Sequence, residues 1–496
     1  MPSIKAFFAK LYAARTYKKI QKWSSSPLET QNRVFQSLIS EAAATSFGVD
    51  HDFISINSHE DFVKRVPVRD YEALKPYVDK VVAGEANVLW KGKPLYFAKT
   101  SGTTSGAKYI PITKESMPSH VEAAKNAILL YIHQTGNTQI VDRKMIFLQG
   151  SPVLEDKNGV QLGRLSGIVA HYVPKYLQKN RLPSWETNCI EDWEMKVNKI
   201  VQETIHEDMS IIAGIPSWVQ MYFEKLVDQK GQKVGDIFKN LNLFIFGGVN
   251  YEPYRSKFET LIGRKVDSIE LYPASEGFFA FQDLQNETGM LLQLDSGMFY
   301  EFISADTFFD ASHQRLTLKD VKIGVNYVII ISTTAGLWAY NIGDTVQFTS
   351  LAPFRVIVSG RIKHFISAFG EHVIAKEVEH ALLSALKATD ISVSEFTVAP
   401  QIAPSTELPY HEWFIEFENP PSDLKAFASK IDAAMQLQNS YYKDLVVGKV
   451  LQPLVITPVP KAGFQSYMKQ IGKLGGQNKT PRLSNDRKIA DALTKA

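Results

Sequence analysis

The stretch YFAKTSGTTSGAKYIPIT, residues 96–113, packs Ser101, Thr103, Thr104 and Ser105 around Gly102 and Gly106, with Lys108 just beyond. An apolar run, Leu95-Tyr96-Phe97, leads in, and Tyr109-Ile110-Pro111-Ile112 leads out. Glycines let backbone N–H groups approach an anion, hydroxyls add donors and a lysine adds positive charge, so the turn has the makings of a phosphate cradle. It is not a Walker A loop, because Gly106 is followed by Ala107-Lys108-Tyr109, nor is it a dinucleotide-binding G-x-G-x-x-G. By itself the same turn also suits an ordinary surface hairpin, so the rest of the chain decides.

A chain of 496 residues is too long for one ordinary core, which predicts two domains or more. Hydrophobic residues make up 45% and charged residues 22%, the balance of a globular protein in water. The net charge of +3 is small for this length and argues against a dedicated nucleic-acid binder. Cys189 is the single cysteine, which rules out an intramolecular disulfide and fits a reducing, cytoplasmic setting. No stretch reaches the ~18 apolar residues of a membrane span. The N-terminus, MPSIKAFFAKLYAARTYKKIQKW, mixes Phe7, Phe8, Leu11, Tyr12 and Ile20 with six basic residues. It suits a helix packed on the main domain with solvated lysines, or a basic helix on a membrane surface.

Apolar spacing through Val34, Leu38 and Ile39 predicts a helix in ETQNRVFQSLISEAAATSFG, with Gly48 as its stop. DRKMIFLQGS, EDMSIIAGIPSWVQMYFEKLVDQ, LNLFIFGGVN and VDSIELYPASEGFFAFQ read as buried strands followed by turns or helices, which predicts an α/β architecture. LTLKDVKIGVNYVIIISTTAGLWAYNIGDTVQF is richer in β-branched strands and suggests a β-subdomain. A junction near residue 360 divides a large domain, 1–360, from a small α+β domain, 361–496.

Three further stretches supply parts for nucleotide chemistry. LYPASEG (271–277) places Glu276 after a strand, LWAYNIGD (337–344) places Asp344 after a glycine turn, and GGQNKTPRLSNDR (475–487) places Lys479 in a polar segment. One carboxylate can hold Mg²⁺, another a ribose diol, and a lysine can offset charge developing on a phosphate. Each also has a plain reading as a solvated turn or surface group.

With these motifs in order, the chain resembles the auxin-responsive acyl acid-amido synthetases, in their bacterial branch, within the adenylate-forming superfamily of acyl-CoA synthetases and luciferase. The likeness runs from residues 45–90 through KTSGTTSGAKYIPIT, GIPSWVQMYFE, YPASEGFFAFQ and GLWAYNIGDTVQF to GQNKTPRLSNDR. It implies a large N-terminal domain and a small mobile C-terminal one, with ATP and Mg²⁺ as cofactors. The small-molecule substrates would be a carboxylic acid and an amine, the latter from an amino acid. Ser101, Gly102, Thr103, Thr104, Ser105 and Lys108 would embrace the phosphates. Tyr272 would lie near the adenine, with Ala274 and Ser275 beside it. Glu276 would place Mg²⁺ or the nucleotide, and Asp344 would hold the ribose hydroxyls with help from Arg361. Lys363 would mark the hinge and also reach the nucleotide, and Lys479 would reach the reacting carboxylate and α-phosphate. His171 and Val173 would line the acyl pocket, though a structural histidine fits position 171 as well. Ala339 and Asn341 stand on a strand where many relatives carry arginine.

Neither Ser101 nor Ser275 sits in a G-x-S-x-G elbow, and no H-E-x-x-H or C-x-x-C occurs, so serine-hydrolase and zinc-site readings are disfavoured. Three functions remain open: acid–amino acid ligation, thioester formation with coenzyme A after the same adenylation, and nucleotide binding without catalysis.

Overall fold

The computed structural model describes residues 4–100, 108–173, 178–310, 312–362, 365–366, 371, 373–402, 404, 408–448, 450–475, 479–484 and 486–494. The chain divides into two compact units, one of residues 1–248 and 262–358, the other of 249–261 and 359–496.

The first unit is built on an eleven-stranded sheet. Lys144–Phe147, Met209–Ala213, Leu243–Gly247 and Asp267–Ala274 run parallel to their neighbours, with Arg181–Leu182 parallel at the edge. Met209–Ala213 is buried at every position, as a strand covered on both faces must be. The helix Pro216–Lys230 comes next, opening on a proline in its first turn and closing at Gly231 in the left-handed region.

After Asp267–Ala274 the sheet changes character. Gly277–Phe281 folds straight back on it, Ala274 opposite Gly277, leaving Ser275 and Glu276 as the tip. The order then continues through Met290–Leu292, Phe354–Arg361, Tyr340–Leu351, Asn326–Thr333 and Met298–Ser304. The β-rich segment read from the sequence as a subdomain is therefore part of the antiparallel half of one continuous sheet. Phe278, Phe279 and Phe281 are all core.

The predicted helix spans Pro27–Ala42 and buries Val34, Phe35, Leu38 and Ile39. Gly48 does not end it. It lies in the short helix Ser46–Asp50, where a Cβ would sit 2.1 Å from the Ala42 carbonyl oxygen, so its role is close packing.

Within the antiparallel half, Glu301 of the strand Met298–Ser304 is fully buried. Arg315 grips both its oxygens, Nε at 2.9 Å and Nη2 at 2.6 Å, and His59 Nε2 donates to Oε1 at 2.7 Å. Arg315 Nη1 also donates to the Val66 carbonyl at 2.5 Å.

The second unit carries the three-stranded sheet Ser392–Gln401, Tyr410–Asn419 and Val455–Val459, the last pair parallel. Helices Ala375–Leu386 and Leu424–Gln438 contribute Leu382, Phe427 and Ile431 to a core with Phe396, Trp413 and Ile415. Residues 249–261 fall inside the sequence-derived large domain, yet they count with this unit. Tyr254 is buried there, accepting from Arg482 Nη2 at 3.1 Å and donating to Glu395 at 3.1 Å.

Burial raises the Glu301 carboxyl, but Arg315 and the hydrogen bonds from His59 and Arg315 outweigh it and hold the group below the ordinary glutamate value. A carboxyl lowered on folding adds stability that is complete above its unfolded value and lost as pH falls through the folded one. Glu301→Gln strands the Arg315 charge and should cost about 3–5 kcal/mol at neutral pH in urea unfolding. The cost should shrink on acidification below about pH 4, where the wild-type carboxyl begins to lose this advantage. A variant as stable as wild type at pH 7 would show that the trio is not holding the fold.

Candidate active site

Strands Tyr96–Thr100 and Lys108–Ile112 pair antiparallel with Thr100 opposite Lys108, and Tyr96–Thr100 also pairs with Val160–Gly163. The strands on either side of the glycine-hydroxyl turn are thus in place. Ser101, Gly102, Thr103, Thr104 and Ser105 themselves lie outside the described residues. The Lys108 ammonium stands 5.4 Å from the centroid of the Tyr71 ring, whose hydroxyl accepts from the Tyr109 amide at 2.9 Å.

The structure joins two of the residues singled out in the sequence. Tyr272 Oη donates to Asp344 Oδ2 at 2.8 Å. Tyr272 is nearly buried, its ring edge-on to Phe279 at 4.9 Å, so the phenol has little freedom. It comes from Asp267–Ala274, and Asp344 from Tyr340–Leu351, with three strands between them in the sheet. In a flat sheet those strands would lie roughly 19 Å apart, four spacings of about 4.8 Å. The hydrogen bond therefore requires the sheet to curl.

Asp344 does not follow a turn, as the sequence suggested, but lies inside a strand with a bulge. Pairing shifts from Val328↔Thr345 to Ile330↔Asn341, so Ile342, Gly343 and Asp344 face Ile329 alone. Gly343 takes φ +88°, which a side chain would resist, and its amide donates to Asn341 Oδ1 at 2.8 Å. Asn341 thus caps the bulge that aims Asp344. Ala339 is equally committed: at φ +44° and fully buried, its amide donates to Ser332 Oγ at 3.0 Å and its carbonyl accepts from the Arg69 amide at 3.0 Å. The two positions where arginine was noted in relatives shape the main chain here.

Ala274, Ser275 and Glu276 are half-buried at the carboxyl end of their strand. Among the described residues no group of three or more His, Cys, Asp or Glu side chains is arranged to hold a metal. His171 is exposed; its Nε2 is 2.9 Å from the Pro152 carbonyl and its ring meets Trp185 edge-on at 4.9 Å, a local structural role. Val173 is half-buried.

Arg361 and Lys479 belong to the second unit, and both are exposed. Lys363 lies outside the described residues. The segment just past Lys479 is firmly laid down. Thr397 Oγ1 donates to the Pro481 carbonyl at 2.7 Å, the Val398 amide to the Arg482 carbonyl at 2.9 Å, and the Ser484 amide to the Val398 carbonyl at 3.0 Å. Arg482 pairs with Glu379 at 3.1 Å and with Glu395, its guanidinium 4.7 Å from the Phe396 centroid. Sequence reasoning missed this anchor, although Arg482 stands in the quoted GQNKTPRLSNDR stretch. Its one signal is the apolar Leu483 beside it, buried and bridged to Val398.

The fold, a mixed sheet with a small α/β unit, is one that solved ligase structures share. A solved 2-hydroxyisobutyryl-CoA ligase in the postadenylation state, bound to R3-HIB-AMP, shares this fold with a TM-score of 0.60 at 13% identity, over 95% of this chain and 91% of that one. The chain belongs to the GH3 family: that family's N-terminal, central and C-terminal domains match residues 16–190, 291–361 and 376–488 in order. Indole-3-acetic acid-amido synthetase GH3.15 of Arabidopsis thaliana is 22% identical over 92% of this chain and 90% of its own. The structure of GH3.15 with 2,4-DB gives a TM-score of 0.80 at 16% identity, over 97% of this chain and 96% of that one. Jasmonoyl–L-amino acid synthetase JAR4 of Nicotiana attenuata is 20% identical over 64% of this chain and 66% of its own length.

Tyr272→Phe removes the donor to Asp344 and leaves the ring in its packing. Adenine-nucleotide affinity, measured by calorimetry, should fall by about two- to tenfold, the worth of one net hydrogen bond of ~0.5–1.5 kcal/mol. Unchanged affinity in a folded variant would detach the pair from nucleotide binding.

Proposed function

We propose that this chain is an ATP-dependent acyl acid-amido synthetase that adenylates a carboxylic acid and passes the acyl group to the amine of an amino acid. The Tyr272–Asp344 hydrogen bond, near the carboxyl end of the parallel strand Asp267–Ala274, carries this reading, because open α/β sheets bind ligands at such ends. Membership of the family and the order of its three domains support it. Low identity to the plant relatives is in keeping with a bacterial branch. A cytoplasmic setting suits an enzyme that consumes ATP.

In the first step a carboxylate oxygen attacks the α-phosphorus of ATP, the bond to the bridging oxygen breaks, and pyrophosphate leaves. Both reactants are anions, so cationic groups must offset their repulsion. Lys108 and the hydroxyl turn Ser101–Ser105 receive the phosphates, and Asp344, oriented by Tyr272, accepts from the ribose hydroxyls. Arg361 assists at the nucleotide. Mg²⁺ would supply further positive charge at the phosphates, and a carboxylate such as Glu276 suits a cation whose other ligands are phosphate and water. In the second step a neutral amine attacks the acyl carbon, AMP departs, and the amine proton passes to solvent or a base. His171 and Val173 stand as candidate acyl contacts. Lys479 is assigned to adenylation, where it neutralises charge between carboxylate and α-phosphate, and the two steps use different arrangements of the domains 1–360 and 361–496 about a hinge at Lys363.

ATP–pyrophosphate exchange across a panel of carboxylic acids tests the reading. Exchange with none of them would leave only nucleotide binding, and a thioester with coenzyme A but no amide with any amino acid would move the chain to the thioester ligases. Lys479→Ala should lower exchange by about 10²-fold or more, the scale of one lost electrostatic donor. Transfer from a supplied acyl adenylate should largely survive. Near-wild-type exchange would remove Lys479 from the reaction. Asp344→Ala should weaken ATP binding by about tenfold or more, since hydrogen bonds to charged groups are worth roughly 1.5–3 kcal/mol.

A further inference from the structure

The helix Ile4–Ser24 has two apolar faces. Ala6, Ala13 and Ile20, seven residues apart, are buried. Ile4, Phe7, Phe8 and Leu11 are spaced by three and four residues, which puts them together on one line of the helix, about half a turn from the buried line. They are 79%, 65%, 51% and 41% exposed, and Tyr12 beside them is 57% exposed. The packing that holds the helix therefore does nothing to cover this stripe. Four large apolar side chains on little more than two turns are a contiguous patch, not scattered surface residues.

The same outward line changes chemistry farther along. Arg15, Lys18 and Lys22 continue it from Leu11 in steps of four, three and four, and all three are exposed. Lys5, Lys10 and Lys19 flank it, and the helix carries six basic residues and no acidic one. Lys19 has Glu122 at 4.0 Å. Exposed phenylalanine and leucine followed by lysine and arginine match the two terms of interfacial binding, burial of apolar side chains at the acyl boundary and attraction to anionic headgroups. A second copy fits less well: a symmetric pairing through this stripe would bring twelve cations of two helices together with no acidic side chain on either helix to meet them.

We propose that the outward face of Ile4–Ser24 docks the enzyme on an anionic lipid surface. The helix is already folded and held from behind, so docking orders no new segment. It lies on the surface and does not cross it; among the described residues no helix is long and apolar enough to span a membrane.

Full-length protein mixed with vesicles of phosphatidylcholine containing about one third phosphatidylglycerol should co-sediment, and raised salt should reduce the bound fraction. Vesicles of phosphatidylcholine alone should bind at least about tenfold less. Phe7→Ser with Phe8→Ser should cut binding to the anionic vesicles by about tenfold or more, and Lys18→Glu with Lys22→Glu should remove most of its salt dependence. Both pairs are exposed, so melting temperature and exchange activity in solution should stay at wild-type values. The proposal is overturned if wild type ignores the anionic vesicles, if it binds both vesicles equally, or if the phenylalanine variant binds as well as wild type. It is also overturned if wild type dimerises on a sizing column and the phenylalanine variant is a monomer, which would make a second copy the occupant.

Discussion

The curl of one sheet sets the geometry of the first unit. Its parallel half needs crossover connections, and the buried strand Met209–Ala213 leaves no face open for a ligand. In that half polar groups can gather where the strands end. At Ala274 the chain reverses within two residues, and the strands that follow pair antiparallel with their neighbours. An antiparallel half built this way is free to bend back, and the bend brings Asp344 to Tyr272 across three intervening strands. The site depends on the change of strand direction more than on any single loop.

Buried ion pairs pin the parts that the sheet alone would leave loose. Arg315 and Glu301 fasten the segment around Val66 to the antiparallel half. Arg355 pairs with Asp283 at 2.7 Å just past the strand that ends at Phe281. In the second unit Arg482 plays the same part with Glu379 and Glu395. Burying such pairs costs desolvation that their attraction only roughly repays. Their contribution is direction, because a planar guanidinium receives a carboxylate in few orientations.

The parallel half was legible because its inner strands Met209–Ala213 and Leu243–Gly247 are mostly apolar runs followed by glycine or helix signals, the latter within LNLFIFGGVN. The antiparallel half was legible as strand but not as part of the same sheet, since periodicity reports burial and not partner. The same limit applies at Asp344. A glycine before an aspartate reads as a turn, and only the slip in pairing against Val328 and Ile330 makes it a bulge. Gly48 misled for a related reason: a helix stop and a close contact both exclude a side chain. Arg482 escaped notice because its partners Glu379 and Glu395 lie 103 and 87 residues away in sequence.

The division of the chain bears on how the proposed domain movement could work. The chain passes between the two units at 248–249, at 261–262 and at 358–359. A hinge near residue 360 alone would leave the first two passages to resist any rotation. The helix Glu252–Ile262 is bound into the second unit through Tyr254 and through Lys257, which contacts Glu418 at 2.5 Å. It must move with that unit, so any bending falls on the residues that flank it. Gly248 and Gly263 stand at those two places, both at φ +84° in the region that other residues rarely enter. Glycine there widens the backbone conformations open at each passage. A reorientation during turnover would then be shared among three short connections, which constrain its axis more tightly than a single linker could.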